Sequence, residues 1–148
     1  MTGRLLPNVT AVAIGGRGIL IEGPPGSGKT SLALMLIDRG ATLIGDDGIE
    51  LRSDACLTAY PADKTRGLIE VRNVGIVAAE CTGAPVCLLL SLSKTAPRFI
   101  DQPAMWDVAG HAVPAIEFRP GDPAQAIRAE YALRTYGLTP FPTQRIDI

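Results

Sequence analysis

A glycine-rich stretch that ends in Lys-Thr is the part of this sequence best suited to chemistry. It reads Gly23-Pro24-Pro25-Gly26-Ser27-Gly28-Lys29-Thr30 and fits the pattern G-x-x-x-x-G-K-[ST] at every fixed position. Glycines let backbone N–H groups converge on phosphate oxygens, and a following helix N-terminus adds partial positive charge. Lys29 would reach the β- and γ-phosphates, and the Thr30 hydroxyl would ligate Mg²⁺. All eight residues are therefore predicted to form a nucleotide-binding loop.

Two adjacent aspartates, Asp46 and Asp47, follow the next apolar run. In phosphate-loop proteins one carboxylate at a strand end helps to hold Mg²⁺, and a second one beside it can accept the proton of an attacking hydroxyl. The competing interpretation is an Asp-Asp-Gly turn whose second aspartate is simply solvated. The motif alone leaves both interpretations open.

The elements that must position these residues are predicted from the apolar pattern. Residues 9–14 and 18–22 indicate a hairpin whose second strand leads into the glycine-rich loop. Residues 28–39 have the pattern of a buried helix, and Gly40 is a suitable C-terminal stop. Residues 41–45 are predicted to form a buried strand, which places the aspartates at its carboxyl end, where open α/β sheets bind ligands.

The remainder of the chain predicts more strands and a second helix. Residues 93–110 lose periodicity and contain Pro97, Pro103 and Trp106, so we expect a long surface loop. Asp122-Pro123 resembles an N-cap followed by a first-turn proline, which predicts a helix to about Tyr136 and a coil tail after it. Further strands are predicted over 49–51, 56–60, 68–72, 75–78, 86–90 and 113–118.

Length and composition favour one globular domain over residues 1–148. The chain is 47% hydrophobic and 20% charged, with a net charge of −1, which argues against a broad basic face for nucleic acid. Its three cysteines, Cys56, Cys81 and Cys87, are an odd number without C-x-x-C spacing, so we expect reduced thiols. Neither a signal segment nor a membrane span is indicated, and we expect a cytoplasmic protein that binds no membrane.

Three blocks of the chain resemble a known family, the bacterial HPr kinase/phosphorylases. Residues 23–51 look like its catalytic domain, where the loop is followed by a helix ending in Arg-Gly and a strand ending in Asp-Asp. Residues 67–77, GLIEVRNVGIV, are similar to the signature L-x-E-x-R-G-x-G-I, and residues 113–121 more weakly resemble the strand before the last helix. The resemblance implies an α/β fold of the HPr kinase/PEP-carboxykinase type. Such a fold has a mixed sheet, the phosphate-loop helix and a C-terminal helix.

The same resemblance implies roles for five residues. Asp46 would be the acid/base, and Asp47 and Glu70 would join Thr30 at Mg²⁺. Arg72 matches the arginine of the signature, and Arg98 stands about where the family carries an arginine that approaches the phosphoryl group. The simpler interpretations are an exposed charge pair for Glu70 and Arg72, and a solvated loop arginine for Arg98.

The resemblance implies that the protein would be an ATP- and Mg²⁺-dependent serine kinase in a single-domain form. Its acceptor would be HPr or a related phosphocarrier protein in phosphotransferase-system regulation. The reverse phosphorolysis would be a second activity, and a homo-oligomer, a hexamer by family resemblance, is expected. Two family positions differ here: Thr10 stands where members usually carry a histidine, and Asn73 replaces the glycine of the signature.

Three other interpretations compete with this one. Residues 106–111 imitate the D-x-x-G motif of GTPases, but no guanine-specificity motif follows, so we expect a chance match. A small-molecule kinase would use the same loop and acid pair, with residues 93–110 as its lid. A regulatory module that binds ATP without transferring phosphate is favoured by Thr10, because threonine does not titrate near neutral pH.

Overall fold

A computed structural model describes residues 3–140 of the protein, in which eleven strands and two helices are found. One turn of 3₁₀ helix, Asp63–Thr65, lies between the sixth and seventh strands. The elements in chain order are β1 (Arg4–Pro7), β2 (Thr10–Ile14), β3 (Arg17–Glu22), α1 (Lys29–Asp38), β4 (Thr42–Gly45), β5 (Gly48–Ser53), β6 (Leu57–Pro61), β7 (Leu68–Val71), β8 (Gly75–Ala78), β9 (Ala84–Leu92), β10 (Ala104–Val108), β11 (His111–Phe118) and α2 (Gln125–Tyr136).

Nine of the strands form one mixed sheet in which β9 is the central strand. The order is β1-β5-β6-β9-β3-β2-β4, and β11 also pairs with β9 and carries β10 at its outer side. β3 and β11 run parallel to β9, and the other pairings of this sheet are antiparallel. Because β2 is antiparallel to both β3 and β4, the carboxyl ends of β3, β4, β9 and β11 lie at one edge. That edge carries the glycine-rich loop.

The two faces of the central strands bury different side chains. Ile19 and Ile21 of β3 pack toward the helices, with Leu32 of α1 and Ala129 of α2 in the same cluster. Leu20 points the other way and packs with residues of β5 and β6 such as Ile49 and Leu57. This alternation is the period of two expected for a strand buried on both faces. β3 is therefore held by buried side chains on both faces, and the loop that follows it starts from a fixed point.

The helix after the loop agrees with its prediction. It was predicted over residues 28–39 and runs from Lys29 to Asp38. Gly40 has a φ of 110° and donates its N–H to the Ile37 carbonyl, while Ala41 donates to Leu36. The predicted C-terminal stop at Gly40 is confirmed, because this left-handed conformation suits glycine.

The prediction of a long loop over residues 93–110 is wrong in its last third. β10 lies there and pairs with β11 in a hairpin. Its side chains are exposed or half-buried, and it borders only one other strand, so it lacks the apolar pattern of a core strand. The edge strand β1 was also not predicted, because it depends on distant pairing with β5.

The second helix begins later than predicted. Asp122 accepts a hydrogen bond from the Ala124 N–H, and its own carbonyl accepts one from Gln125. These contacts close a turn before the helix, which starts at Gln125 and ends at Tyr136 as expected. The coil predicted over 138–148 is seen for residues 138–140, and residues 141–148 lie outside the described part of the chain. Neither helix within residues 3–140 is long and apolar enough to cross a membrane.

The three cysteines should differ in reactivity. All are free thiols; Cys87 is buried in β9, and Cys56 and Cys81 are partly exposed. Burial raises the pKa of the Cys87 thiol, so it holds less of the reactive thiolate. We expect Cys56 and Cys81 to react with a thiol reagent at pH 8 while Cys87 reacts only after denaturation. A Cys87→Ala variant is the control, and rapid reaction of all three thiols in the native wild type would contradict the buried placement.

Candidate functional site

The glycine-rich loop closes tightly between β3 and α1. The Ser27 N–H donates to the Pro24 carbonyl at 3.1 Å, and Gly28 forms the N-terminal boundary of α1. Gly26 and Gly28 have φ values of 79° and 103°, which are strained for any residue with a side chain. The backbone turn required for a phosphate cradle is therefore formed by glycine at the positions that need it.

The Lys29 ammonium group folds back over this loop. Its Nζ donates to the Gly23 carbonyl at 2.9 Å and to the Asn8 carbonyl at 3.0 Å. Both acceptors are neutral, whereas a bound phosphate would offer charged oxygens and stronger hydrogen bonds. Lys29 is thus held at the loop, where its ammonium group could replace these two carbonyl acceptors by the oxygens of an anion.

Asp46 lies beneath the loop and joins three elements. Its Oδ1 accepts from the Thr30 hydroxyl at 2.8 Å and from the Thr10 hydroxyl at 3.0 Å, and its Oδ2 accepts from the Glu70 N–H at 3.1 Å. The residue is only 8% exposed, and a buried carboxylate needs such donors. Since a carboxylate offers about four acceptor positions, Oδ2 keeps one to spare.

Asp47 has a different environment from its neighbour. It is exposed, has a φ of 60°, and donates its N–H to the Thr10 hydroxyl at 3.3 Å. Asp46 and Asp47 form the whole connection between β4 and β5, so this segment is a turn. The chemical interpretation stays open as well, because Asp47 borders the pocket beside the loop.

One pocket of about 500 Å³ brings most of the predicted site residues together. The residues of the loop and α1 form one wall, and Asp47 with the end of β7 and the first residue of the turn after it forms the other. Within residues 3–140, Glu70 and Arg72 do not form an ion pair with each other. The lining residues are Pro25, Gly26, Gly28, Lys29, Thr30, Ser31, Leu34, Asp47, Glu70, Val71 and Arg72.

Arg98 lies elsewhere. It lines a separate cavity of about 600 Å³ between residues 96–100 and α2, which shares no residue with the pocket beside the loop. Its guanidinium group lies 5.5 Å from the centre of the Phe99 ring. The structure therefore does not bring Arg98 to the phosphate loop, and its predicted catalytic role stays a prediction.

Thr10 has more contacts than its sequence position suggested. It is 1% exposed, and its hydroxyl contacts Asp46 as donor and the Asp47 N–H as acceptor. A hydroxyl serves both functions at once, because it carries one donor and two acceptor positions. The sequence marked Thr10 only as a departure from the family; the signal for its contacts is its place on β2, beside the strand that ends at the aspartates.

The segment that imitates a GTPase motif is a hairpin turn. Ala109 and Gly110 join β10 to β11 with φ values of 49° and 83°. β11 starts at His111 and runs parallel to the strands that end at the loop, so this turn lies at the opposite edge of the sheet.

The pocket offers oxygen ligands that suit Mg²⁺ together with a phosphate. No group of three or more His, Cys, Asp or Glu side chains converges as a metal cluster in the described part of the chain. Mg²⁺ commonly uses only one or two carboxylates, with phosphate oxygens and water completing its coordination. Thr30, Asp47 and Glu70, which line one pocket, fit that requirement.

These features define a class: a mixed α/β domain with a phosphate-loop motif and carboxylates at the end of a nearby strand that runs in the same direction. The model of the family described as HPr Serine kinase C-terminal domain matches residues 6–83, which is more than half of the chain. The chain belongs to this family, and the resemblance noted from its sequence is confirmed.

Individual relatives support the same assignment over part of their length. An HPr kinase/phosphorylase of Clostridium botulinum (strain Eklund 17B / Type B) is 46% identical over 67 residues, which are 45% of this chain and 22% of the relative. One of Caldicellulosiruptor bescii is 37% identical over 83 residues, or 52% of this chain and 27% of the relative. The matched stretches are therefore about a quarter of these relatives or less.

A solved structure extends the similarity over nearly the whole chain. It is the Hpr(Ser) kinase/phosphatase from Coxiella burnetii, with a TM-score of 0.77 and 27% sequence identity. The alignment covers 88% of this chain and 94% of that one. The mixed sheet with two helices is thus shared with a protein of that family.

Proposed function

We propose that this chain is an ATP-dependent serine kinase that phosphorylates HPr or a related phosphocarrier protein, with Mg²⁺ as its metal and phosphorolysis as its reverse activity. The observation that carries the proposal is the hydrogen bond between Asp46 and Thr30. It joins a buried carboxylate to the phosphate loop at 2.8 Å, beside a pocket that contains Lys29, Asp47 and Glu70. Family membership supports a kinase of this type.

The loop would bind the phosphates of the nucleotide. Backbone N–H groups of residues 26–30 would surround the β-phosphate, and Lys29 would turn from its two carbonyl acceptors to the phosphate oxygens. Thr30 would exchange its bond to Asp46 for the metal, with Asp47 and Glu70 as the carboxylates beside it. Mg²⁺, when bound, would neutralise part of the negative charge of the phosphates.

Asp46 would then act on the proton of the acceptor. Release of Thr30 frees a position on Oδ1, in addition to the one already free on Oδ2, so the carboxylate could accept the proton of a seryl hydroxyl during attack. In phosphorolysis the same group would protonate the leaving serine. Thr10 would hold Asp46 in place but cannot exchange protons with it near neutral pH, unlike a histidine.

The acceptor and the assembly are proposed from the family. The relatives in the comparison carry names that refer to HPr, which makes a small phosphocarrier protein the first acceptor to test. A homo-oligomer, a hexamer by family resemblance, is proposed on the same ground. Light scattering of the purified chain would measure the mass of the assembly and so test this proposal directly.

A transfer assay tests the proposed function. The protein is incubated with γ-labelled ATP, Mg²⁺ and HPr from the same organism, and with HPr whose acceptor serine is replaced by alanine. We expect label on wild-type HPr only, and none when Mg²⁺ is chelated. Label on a small alcohol but not on HPr would favour a small-molecule kinase. Tight ATP binding without transfer to any acceptor would favour the regulatory module, and absence of ATP binding would reject all three.

A further inference from the structure

A second cleft lies on the other side of the phosphate loop. It has a volume of about 440 Å³, within the range of small-ligand sites. Its residues come from the loop, the end of β9 and the segment after β11: Pro24, Pro25, Gly26, Ser27, Leu92, Ser93, Lys94 and Pro120.

The topology places this cleft where an α/β sheet binds ligands. β9 and β11 are parallel to each other and to β3, so all three carboxyl ends meet at the loop. The Ser93 N–H donates to the Phe118 carbonyl at 2.9 Å, which ties the ends of β9 and β11 together. Pro120 lies close to Gly28: a Cβ on that glycine would be 3.8 Å from the proline Cβ.

The lining has the chemistry of a site for a flat, partly polar group. Pro24, Pro25 and Pro120 offer apolar rings, and Leu92 forms a buried base. Ser93 and Lys94 are the hydrogen-bonding side chains at its rim, and Lys94 is exposed. Mostly apolar walls with a few polar groups are typical of small-molecule sites. The Ser27 hydroxyl is buried there without a hydrogen-bond partner among residues 3–140, a cost that a reordered, ligand-bound loop would relieve.

The two cavities share Pro25 and Gly26 of the loop. The first contains the carboxylates and Thr30, so the metal and the terminal phosphate of a donor belong there. If the phosphate chain of a donor crosses Pro25 and Gly26 from the first pocket, the end of the donor opposite its terminal phosphate enters the second cleft.

We propose that this cleft binds the nucleoside end of the donor, with the base between the proline rings and the ribose near Ser93 and Lys94. The inference rests on the proposed function, because it requires a nucleotide on the loop. It extends that function by assigning to the chain a preference for a nucleotide over an inorganic polyphosphate.

Calorimetric titration of the full chain with ATP and with inorganic triphosphate, both with Mg²⁺, tests the inference. We expect wild type to bind ATP about tenfold more tightly than triphosphate, since the base and ribose bury apolar area. Pro120→Ala, which lies outside the phosphate loop, should lose about threefold in ATP affinity and leave triphosphate affinity unchanged. Lys94→Gln should also lower the preference for ATP. Pro97→Ala, an exposed proline outside the cleft, is the matched control.

The outcomes separate this inference from the proposed function. Equal affinity of wild type for ATP and triphosphate would overturn the nucleoside cleft and leave the phosphate loop in place. Retention of the full ATP preference by Pro120→Ala and by Lys94→Gln would overturn it as well. Binding of neither compound would reject the cleft and the proposed kinase together. A wild type that fails to transfer phosphate but prefers ATP to triphosphate, together with variants that lose this preference, would reject the kinase and support the cleft.

Discussion

Replacement of Asp46 by asparagine should lower phosphoryl transfer by about 10²- to 10⁴-fold, the usual worth of a positioned general base. The amide keeps the shape of the carboxylate but cannot take the proton of an alcohol. Its oxygen can still accept from Thr10 and Thr30, while its NH₂ group would face the Glu70 N–H, a donor opposite a donor. We therefore expect a loss of stability of about 1–3 kcal/mol in addition to the catalytic loss.

The matched comparison for this variant is Asp47→Asn. Both substitutions remove one negative charge from the same turn, but Asp47 is exposed and makes no side-chain contact to the loop threonine. Transfer rate, ATP affinity and melting temperature should be measured for both, with the rates taken where each variant is folded. Asp47→Asn should lower the apparent affinity for Mg²⁺ more than it slows transfer at saturating metal. If Asp46→Asn transfers at the wild-type rate while Asp47→Asn loses the chemical step, the proposed roles are exchanged.

Replacement of Lys29 by methionine should weaken ATP binding by about 10²-fold, because hydrogen bonds to charged groups contribute about 1.5–3 kcal/mol each. Methionine keeps much of the apolar stem of the side chain. The variant also loses the contacts to the Gly23 and Asn8 carbonyls, which are neutral acceptors. The fold should therefore be less affected than the affinity.

Calorimetry with ATP and a thermal melt measure these two effects for Lys29→Met. Lys64→Met is a suitable control, since Lys64 is exposed on the 3₁₀ turn and lines neither cavity beside the loop. The same net charge change at Lys64 should leave ATP affinity intact. An unchanged affinity in Lys29→Met would mean that the loop does not hold the nucleotide through this residue.

The sequence predicted the part of the fold where local signals agree. The glycine-rich motif, the apolar strand before it and the apolar helix after it specify β3 and α1. The strand that ends at Asp46 was predicted for the same reason. β1 has no such signal because it depends on pairing with the distant β5, and β10 has none because its own side chains are exposed or half-buried.

For the candidate site, the sequence predicted which residues lie close together better than how they are arranged. Motif and resemblance placed Lys29, Asp47 and Glu70 at one site, and they line one pocket. No pattern could show that Thr10 and Thr30 share one oxygen of Asp46, because that depends on the packing of three elements. Arg98 was placed by its position in a long segment, and the structure shows that residues 96–100 of this segment line a cavity beside α2 that shares no residue with the pocket beside the loop.

The hydrogen bond from the Glu70 backbone to Asp46 makes the two sides of the pocket interdependent. β7 and β8 form a two-stranded sheet separate from the large one, and an isolated hairpin of this size has little stability of its own. A substitution that removes the charge of Asp46 thus weakens the support of the strand that carries Glu70. Energetic effects of changes at these two carboxylates should not add, and a double-mutant cycle of Asp46→Asn with Glu70→Gln would measure their coupling.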